Sequence, residues 1–248
     1  MTHGRGKSIA ILQSNYIPWK GYFDIIAAVD EFVIFDEVQF TRRDWRNRNR
    51  IVNHGRVQWL TIPVATKGAF DSAVCDIEVV ASDWADRHWS TLRHAYGKAP
   101  HFHHYAPALE RAYAEAARLS LLSAINRLFL KTLCQFLDLA TPLLSSADVP
   151  REAANPTARL VEICKARRAD RYVSGPAARA YIDPAMFSTA GIGLAYADYA
   201  GYPTYVQGTA AFEHGVSMLD VLMRLGPDSR RHLKSLRPGA EFLEPAEV

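Results

Sequence analysis

Cysteine is scarce: Cys75, Cys134 and Cys164 are three residues in 248, an odd number at wide spacing. No Cys-x-x-Cys pair occurs, which argues against both a disulfide framework and a cysteine zinc site and fits a reducing cytoplasm. Long apolar runs are missing. No stretch approaches the roughly 18 residues that would cross a bilayer, and Ile9–Leu12 is too short for the apolar part of a signal peptide. An excess of one charge is also missing, since 29 Lys and Arg face 26 Asp and Glu for a net +3. With no basic stripe along the chain, nucleic acid is not an expected partner. Glycine-rich phosphate loops, a serine nucleophile elbow and a two-histidine zinc helix are absent, so no metal and no resident cofactor is identified.

What is present suits a globular protein with a large core, at 49% hydrophobic and 22% charged residues. Ile9-Ala10-Ile11-Leu12 reads as a buried strand. Gly21 to Asp30 has apolar residues at helical spacing, and Phe32 to Phe35 is a second buried strand. Strand, helix and strand in so short a span predict a parallel sheet. Further strands are expected at Val57–Val64, around Cys75–Val80, at Arg171–Val173 and at Ile192–Tyr196, with an extended piece at Tyr202–Gln207. Helices are expected from Asp83, as a cap, to Tyr96, then at Ala106–Ala117, Leu121–Leu137, Thr157–Arg168, Ala177–Tyr181 and Ser217–Leu225. The fold class is α/β, with a mostly parallel, Rossmann-like sheet. The expected organisation is one domain over 8–237, with a largely helical insertion at 82–140 and mobile tails at 1–7 and 238–248.

In open α/β sheets, ligands bind outside the carboxyl ends of the strands. Four polar clusters fall at such ends: Gln13-Ser14-Asn15-Tyr16, Asp36 to Gln39, Ser174-Gly175 and Asp198-Tyr199. The densest signal is Thr41 to Arg50, with five arginines and one acid in ten positions. Arginine forks bind carboxylate and phosphate in pairs, and their planes stack on rings such as Trp45. The segment reads as an anion site using Arg42, Trp45, Arg48 and Asn49, or else as a solvated loop paired with surface acids. A helix starting near Gly21 would offer free N–H groups to the same ligand.

Three residues are candidates for chemistry. Asp36 closes an apolar strand and could orient a ligand, move a proton, or simply pair with an arginine. His214 is placed to act as a general base or to hold a loop. Cys164 could be a nucleophile, but its spacing with Leu160, Val161 and Ile163 equally marks a buried thiol. His101, His103 and His104 have no ligand spacing and read as a solvated run in a loop.

These residues together resemble the WbqC-like protein family. The match runs through Ile9 to Gln13, Asn15-Tyr16, Pro18 and Gly21-Tyr22. It continues through Phe35 to Phe40, Trp45 to Asn49, Leu160 to Lys165, Tyr172 to Tyr181 and Ser217 to Gly226. The resemblance implies a place among bacterial surface-polysaccharide or secondary-metabolite genes and a transferase that puts glycine on an amino sugar. Gln13, Asn15, Tyr16, Tyr22, Gln39, Ser174, Gly175 and Tyr181 join the arginine arm as substrate-binding candidates. The first turn is also similar in outline to that of HUP-type nucleotidyltransferases, although their His-x-Gly-His is Trp19-Lys20-Gly21-Tyr22 here. Three functions follow. One is acyl or aminoacyl transfer to an amine from a thioester, an aminoacyl-tRNA or a nucleotide-activated donor. The others are nucleotide-dependent transfer of HUP type and non-catalytic binding of an anionic small molecule. Oligomeric state is not legible.

Overall fold

The computed structural model describes residues 6–65, 71–153 and 155–246. The first strand, β1 (Ser8–Leu12), is buried along almost its whole length, as a strand covered on both faces must be. Helix α1 (Lys20–Ala27) buries every residue from Lys20 to Ile26. It returns the chain to β2 (Glu31–Ile34), parallel to β1 with Ile9 opposite Glu31. Gly21 has no room for a Cβ, because the Trp19 indole lies against it.

The arginine arm then departs from expectation. Arg48–Asn53 is a strand, β3, paired antiparallel with β4 (Arg56–Thr61) in a separate two-stranded sheet. Positive φ at His54 (46°) and Gly55 (75°) makes the two-residue turn whose twist suits a hairpin. The segment after Cys75 forms a short 3-10 turn at Val74–Asp76 and isolated bridges instead of a strand. Helices α2 (Trp84–Tyr96), α3 (Phe102–Ala116) and α4 (Leu122–Phe136) follow. Asp83 precedes α2 without a side-chain cap bond and ion-pairs with Arg87 instead. His103 and His104 lie in the first turn of α3, not in a loop. Leu92, Leu109, Phe129 and Leu133 of these helices share one buried cluster with Ala10 of β1 and Phe23 of α1.

The remaining elements are β5 (Leu143–Ser145), α5 (Pro156–Ala166), β6 (Arg171–Ser174), α6 (Pro184–Thr189), β7 (Gly193–Ala197), α7 (Met218–Leu225) and β8 (Leu243–Pro245). A 3-10 turn at Pro176–Ala180 stands where a short helix was expected, and Tyr202–Gln207 joins no strand. The sheet order is β5-β2-β1-β6-β7-β8, parallel except for β8. This is a mixed α/β fold with a mostly parallel, Rossmann-like sheet. Leu243–Pro245 falls in a stretch expected to be a mobile tail, yet it pairs with β7, and Phe242 before it is buried. Lys7 is anchored too, its N–H donating to Asp170 at 2.7 Å. Residues 1–5 and 247–248 of the expected tails lie outside the described residues. Among the described residues no helix is long and apolar enough to cross a membrane.

Candidate functional site

The chain runs from β1 outward to β2 and β5, then returns to β6 on the other side of β1. The direction of winding therefore reverses between β1 and β6, and in open α/β sheets the crevice outside the strand ends at such a point is where ligands bind. Gln13 leaves β1 there, Ser174 and Gly175 close β6, and Asp36 follows the adjacent β2. A Cβ on Gly175 would sit 3.4 Å from the Tyr199 hydroxyl oxygen, so the β7 loop closes over this point.

Asp36 is buried at 1% exposure. Its Oδ1 accepts the Ser14 N–H at 2.8 Å, and its Oδ2 is enclosed with no hydrogen-bond partner. Burial pushes its pKa up. The Ser14 N–H and hydroxyl, then Arg127 and Arg46, pull the other way without cancelling it. Asn126, on the buried face of α4, donates to Ser14 Oγ at 3.1 Å and to the Arg46 carbonyl at 2.9 Å. Arg46 reaches across to donate to Gln13 Oε1 and to Asp44, while its Nε has no partner. Tyr22 donates to the Gln13 carbonyl at 2.8 Å. Tyr181 is exposed and near enough to Arg46 to feel its charge. Unpartnered buried atoms on Asp36, Arg46 and Asn126 thus gather around the end of β1. Buried polar atoms are ordinarily bonded to protein or to ordered water, so these three have hydrogen-bonding capacity that the protein itself does not use.

A second feature adjoins this crevice. Asn15, Pro18, Trp19, Trp45, Asn49 and Gly215 enclose a cavity of about 280 Å³. Asn49 holds its inner wall, donating to the carbonyls of Tyr16 (3.1 Å) and Ile17 (3.0 Å). Ile17 needs this grip, because its φ of 36° is a costly conformation for a β-branched residue. Trp45 and Trp59 lie 5.4 Å apart at 33°. Arg50 stands over both rings and is fixed by Gly215 O and Glu213. Behind the cavity, Lys20 is buried at 1% exposure, between the rings of Tyr202 and Phe212. Burial lowers its pKa to about 8, although Asp220 and Glu213 act to raise it.

Several expected site residues land elsewhere. Tyr16 is wholly buried, its hydroxyl bonded to His88 Nδ1 and Tyr113, so it belongs to the core. Cys164 is fully buried on α5 behind the sheet, and burial pushes its thiol up to about 12, the opposite of an activated nucleophile. Arg48 lies 4.1 Å over Trp59 and donates to the Arg43 carbonyl. Gln39 and Arg42 are exposed, and Gln39 forms a backbone bridge with Ala73. Ser174 is buried and accepts from Tyr172 at 3.2 Å. Asp198 is turned to Lys234 at 2.7 Å.

His214 is exposed, with Nδ1 3.1 Å from Lys20 Nζ. Desolvation, then Lys20, lowers its pKa, so it is neutral at pH 7. Among the described residues, no three His, Cys, Asp or Glu side chains are grouped to hold a metal ion. The sequence reading missed Arg46, Lys20 and Asn126. Asn126 had a signal: it is a lone amide among Leu122, Ile125 and Phe129 on an apolar helix face.

No solved structure matches the chain. A curated relative, the uncharacterized protein Rv1507c of Mycobacterium tuberculosis (strain ATCC 25618 / H37Rv), is 43% identical over 231 residues, covering 93% of this chain and 99% of that protein. The WbqC-like protein family matches residues 13–232, a span that holds the strand-end crevice, the arginine arm and the tryptophan cavity, and the chain belongs to that family.

Proposed function

We propose that this protein transfers an acyl or aminoacyl group, of glycyl type, onto the amine of an amino sugar or another small molecule. The observation that carries the reading is Asp36. It is a buried carboxylate with a raised pKa and one unpartnered oxygen, at a strand end beside the point where the sheet reverses. A carboxylate held this way is a stronger proton acceptor than one in water. In the proposed step the amine nitrogen bonds to the activated carbonyl carbon, and Asp36 Oδ2 takes the amine proton. The bond from that carbon to the leaving group then breaks, and the leaving group departs with the electron pair. Arg46, ion-paired with Asp44 and reaching to Gln13, would exchange these partners for an anionic part of donor or acceptor.

His214 takes a different part from the base expected of it. A lysine ammonium can only donate, so Nδ1 accepts and the single ring hydrogen sits on Nε2. Neutral His214 therefore offers a donor.

Purified protein is incubated with amino-sugar acceptors and thioester, aminoacyl-tRNA or ATP-activated glycyl donors, and products are read by mass spectrometry. The expected result is an amide whose formation falls about a hundredfold or more in Asp36→Asn. No product from any donor class would sink the reading.

A further inference from the structure

The cavity between Trp19 and Trp45 has a chemistry of its own. Two indoles and Pro18 line it, Asn15 and Asn49 add amides, and its volume of about 280 Å³ admits one fused ring system rather than an extended chain. The Arg50 guanidinium stands 5.5 Å over Trp45 and 5.8 Å over Trp59, and Arg48 stands 4.1 Å over Trp59. A cation over an indole draws π density toward itself. That weakens the ring's attraction for the C–H edges of a sugar and favours stacking with an electron-rich heteroaromatic ring. Trp45 is followed directly by Arg46, whose side chain crosses to Gln13 in the strand-end crevice. Gln13 and Asn15 are two residues apart, so cavity and crevice are separated by at most about 7 Å of chain. That is about the reach from a base across its ribose to a phosphate.

We propose that this cavity is the base-binding half of an adenosine-phosphate site, with the adenine against Trp19 and Trp45 and the phosphate on Arg46. The inference rests on the transfer reading and narrows it. A coenzyme A thioester, an aminoacyl-tRNA and an aminoacyl adenylate differ in their reactive bond but share an adenosine carrying phosphate. One slot for a flat ring beside one arginine would hold any of them.

The test is quenching of tryptophan fluorescence by adenosine 5′-diphosphate, with glucose 1-phosphate as the probe that has phosphate and sugar but no base. Adenosine diphosphate is expected to quench and glucose 1-phosphate not to. Trp45→Ala and Arg46→Ala should each weaken binding about tenfold or more, while Trp45→Phe keeps most of it. Coenzyme A and a short oligonucleotide ending in CCA form the other arms, and the tighter of the two names the donor's source. Equal binding of glucose 1-phosphate, or quenching untouched by both alanine variants, overturns the site. The two readings fail separately. Amide product from a thioester lacking adenosine, without nucleotide binding, leaves transfer standing and removes this site. Nucleotide binding without product from any donor does the reverse.

Discussion

Lys20 and His214 meet across 3.1 Å, although 194 positions separate them in the chain. The lysine holds a positive charge beside a ring whose pKa burial has already lowered, and it lowers that pKa further. Lys20→Met removes the charge and leaves the burial. The His214 pKa should then rise but stay below its ordinary 6.5, as followed by NMR titration of the ring protons. An unchanged titration would show that the contact has no electrostatic weight.

Asp36→Asn separates chemistry from folding. The amide keeps an acceptor for the Ser14 N–H while removing a buried charge. Thermal unfolding at pH 7 should therefore change by less than about 1 kcal/mol or shift toward greater stability. Amide formation by the wild type should fall on the acid side with a midpoint above the ordinary value of an aspartate, and that limb should be missing from the residual activity of the variant.

The arginines of the arm are not equivalent. Arg46→Ala should weaken binding of an anion such as pyrophosphate by about 1.5–3 kcal/mol, the loss of a charged hydrogen bond. Arg48 lies over Trp59 in the hairpin and donates to the Arg43 carbonyl, away from the end of β1, although its Nε, like that of Arg46, has no partner. Its alanine variant should cost about 0.5–1 kcal/mol of stability and leave pyrophosphate affinity, read by calorimetry, within about twofold. The opposite ranking would move the anion site from the crevice to the hairpin.

His88 sets an acid limit. It is buried against the Tyr16 hydroxyl, and burial lowers its pKa to about 4 from 6.5. The fold then binds fewer protons than the unfolded chain. Stability is complete above about pH 6.5 and declines as pH falls toward 4, by about 3 kcal/mol in all. Urea midpoints of His88→Gln measured across that range should decline less steeply than those of the wild type. At pH 7, Tyr16→Phe should cost about 1–3 kcal/mol through the loss of two buried hydroxyl contacts, without altering pyrophosphate affinity.

Cys164 should resist iodoacetamide at pH 8 in the folded protein, since its thiol stays protonated to about pH 12 and its side chain is enclosed. The half-buried Cys75 should react ahead of it, as read by peptide mass. Rapid labelling of Cys164 would reopen it as a nucleophile.

What the sequence determined by itself was local in origin. The apolar runs at Ile9–Leu12 and Phe32–Phe35 and the helical spacing between them dictate strand, helix and strand. They also point to a parallel sheet, because parallel neighbours need a crossover connection and the helix between the two runs supplies one. The polar residues at those strand ends, and the concentration of arginine between Arg42 and Arg50, were legible for the same reason.

Distance in the chain hid the rest. The residues of Val57–Val64 read as a strand without saying which strand it pairs with, and the hairpin β3–β4 lies outside the main sheet. Tyr16 and Tyr22 look alike beside Gln13, yet one hydroxyl is locked to His88 and Tyr113 and the other braces the crevice. Asn126 reaches Ser14 across 112 positions and Lys20 reaches His214 across 194. Burial and pairing of this kind arise only when separate segments close on one core, so the tertiary structure alone decided which polar residues were satisfied and which, like Asp36 Oδ2, were left without a partner.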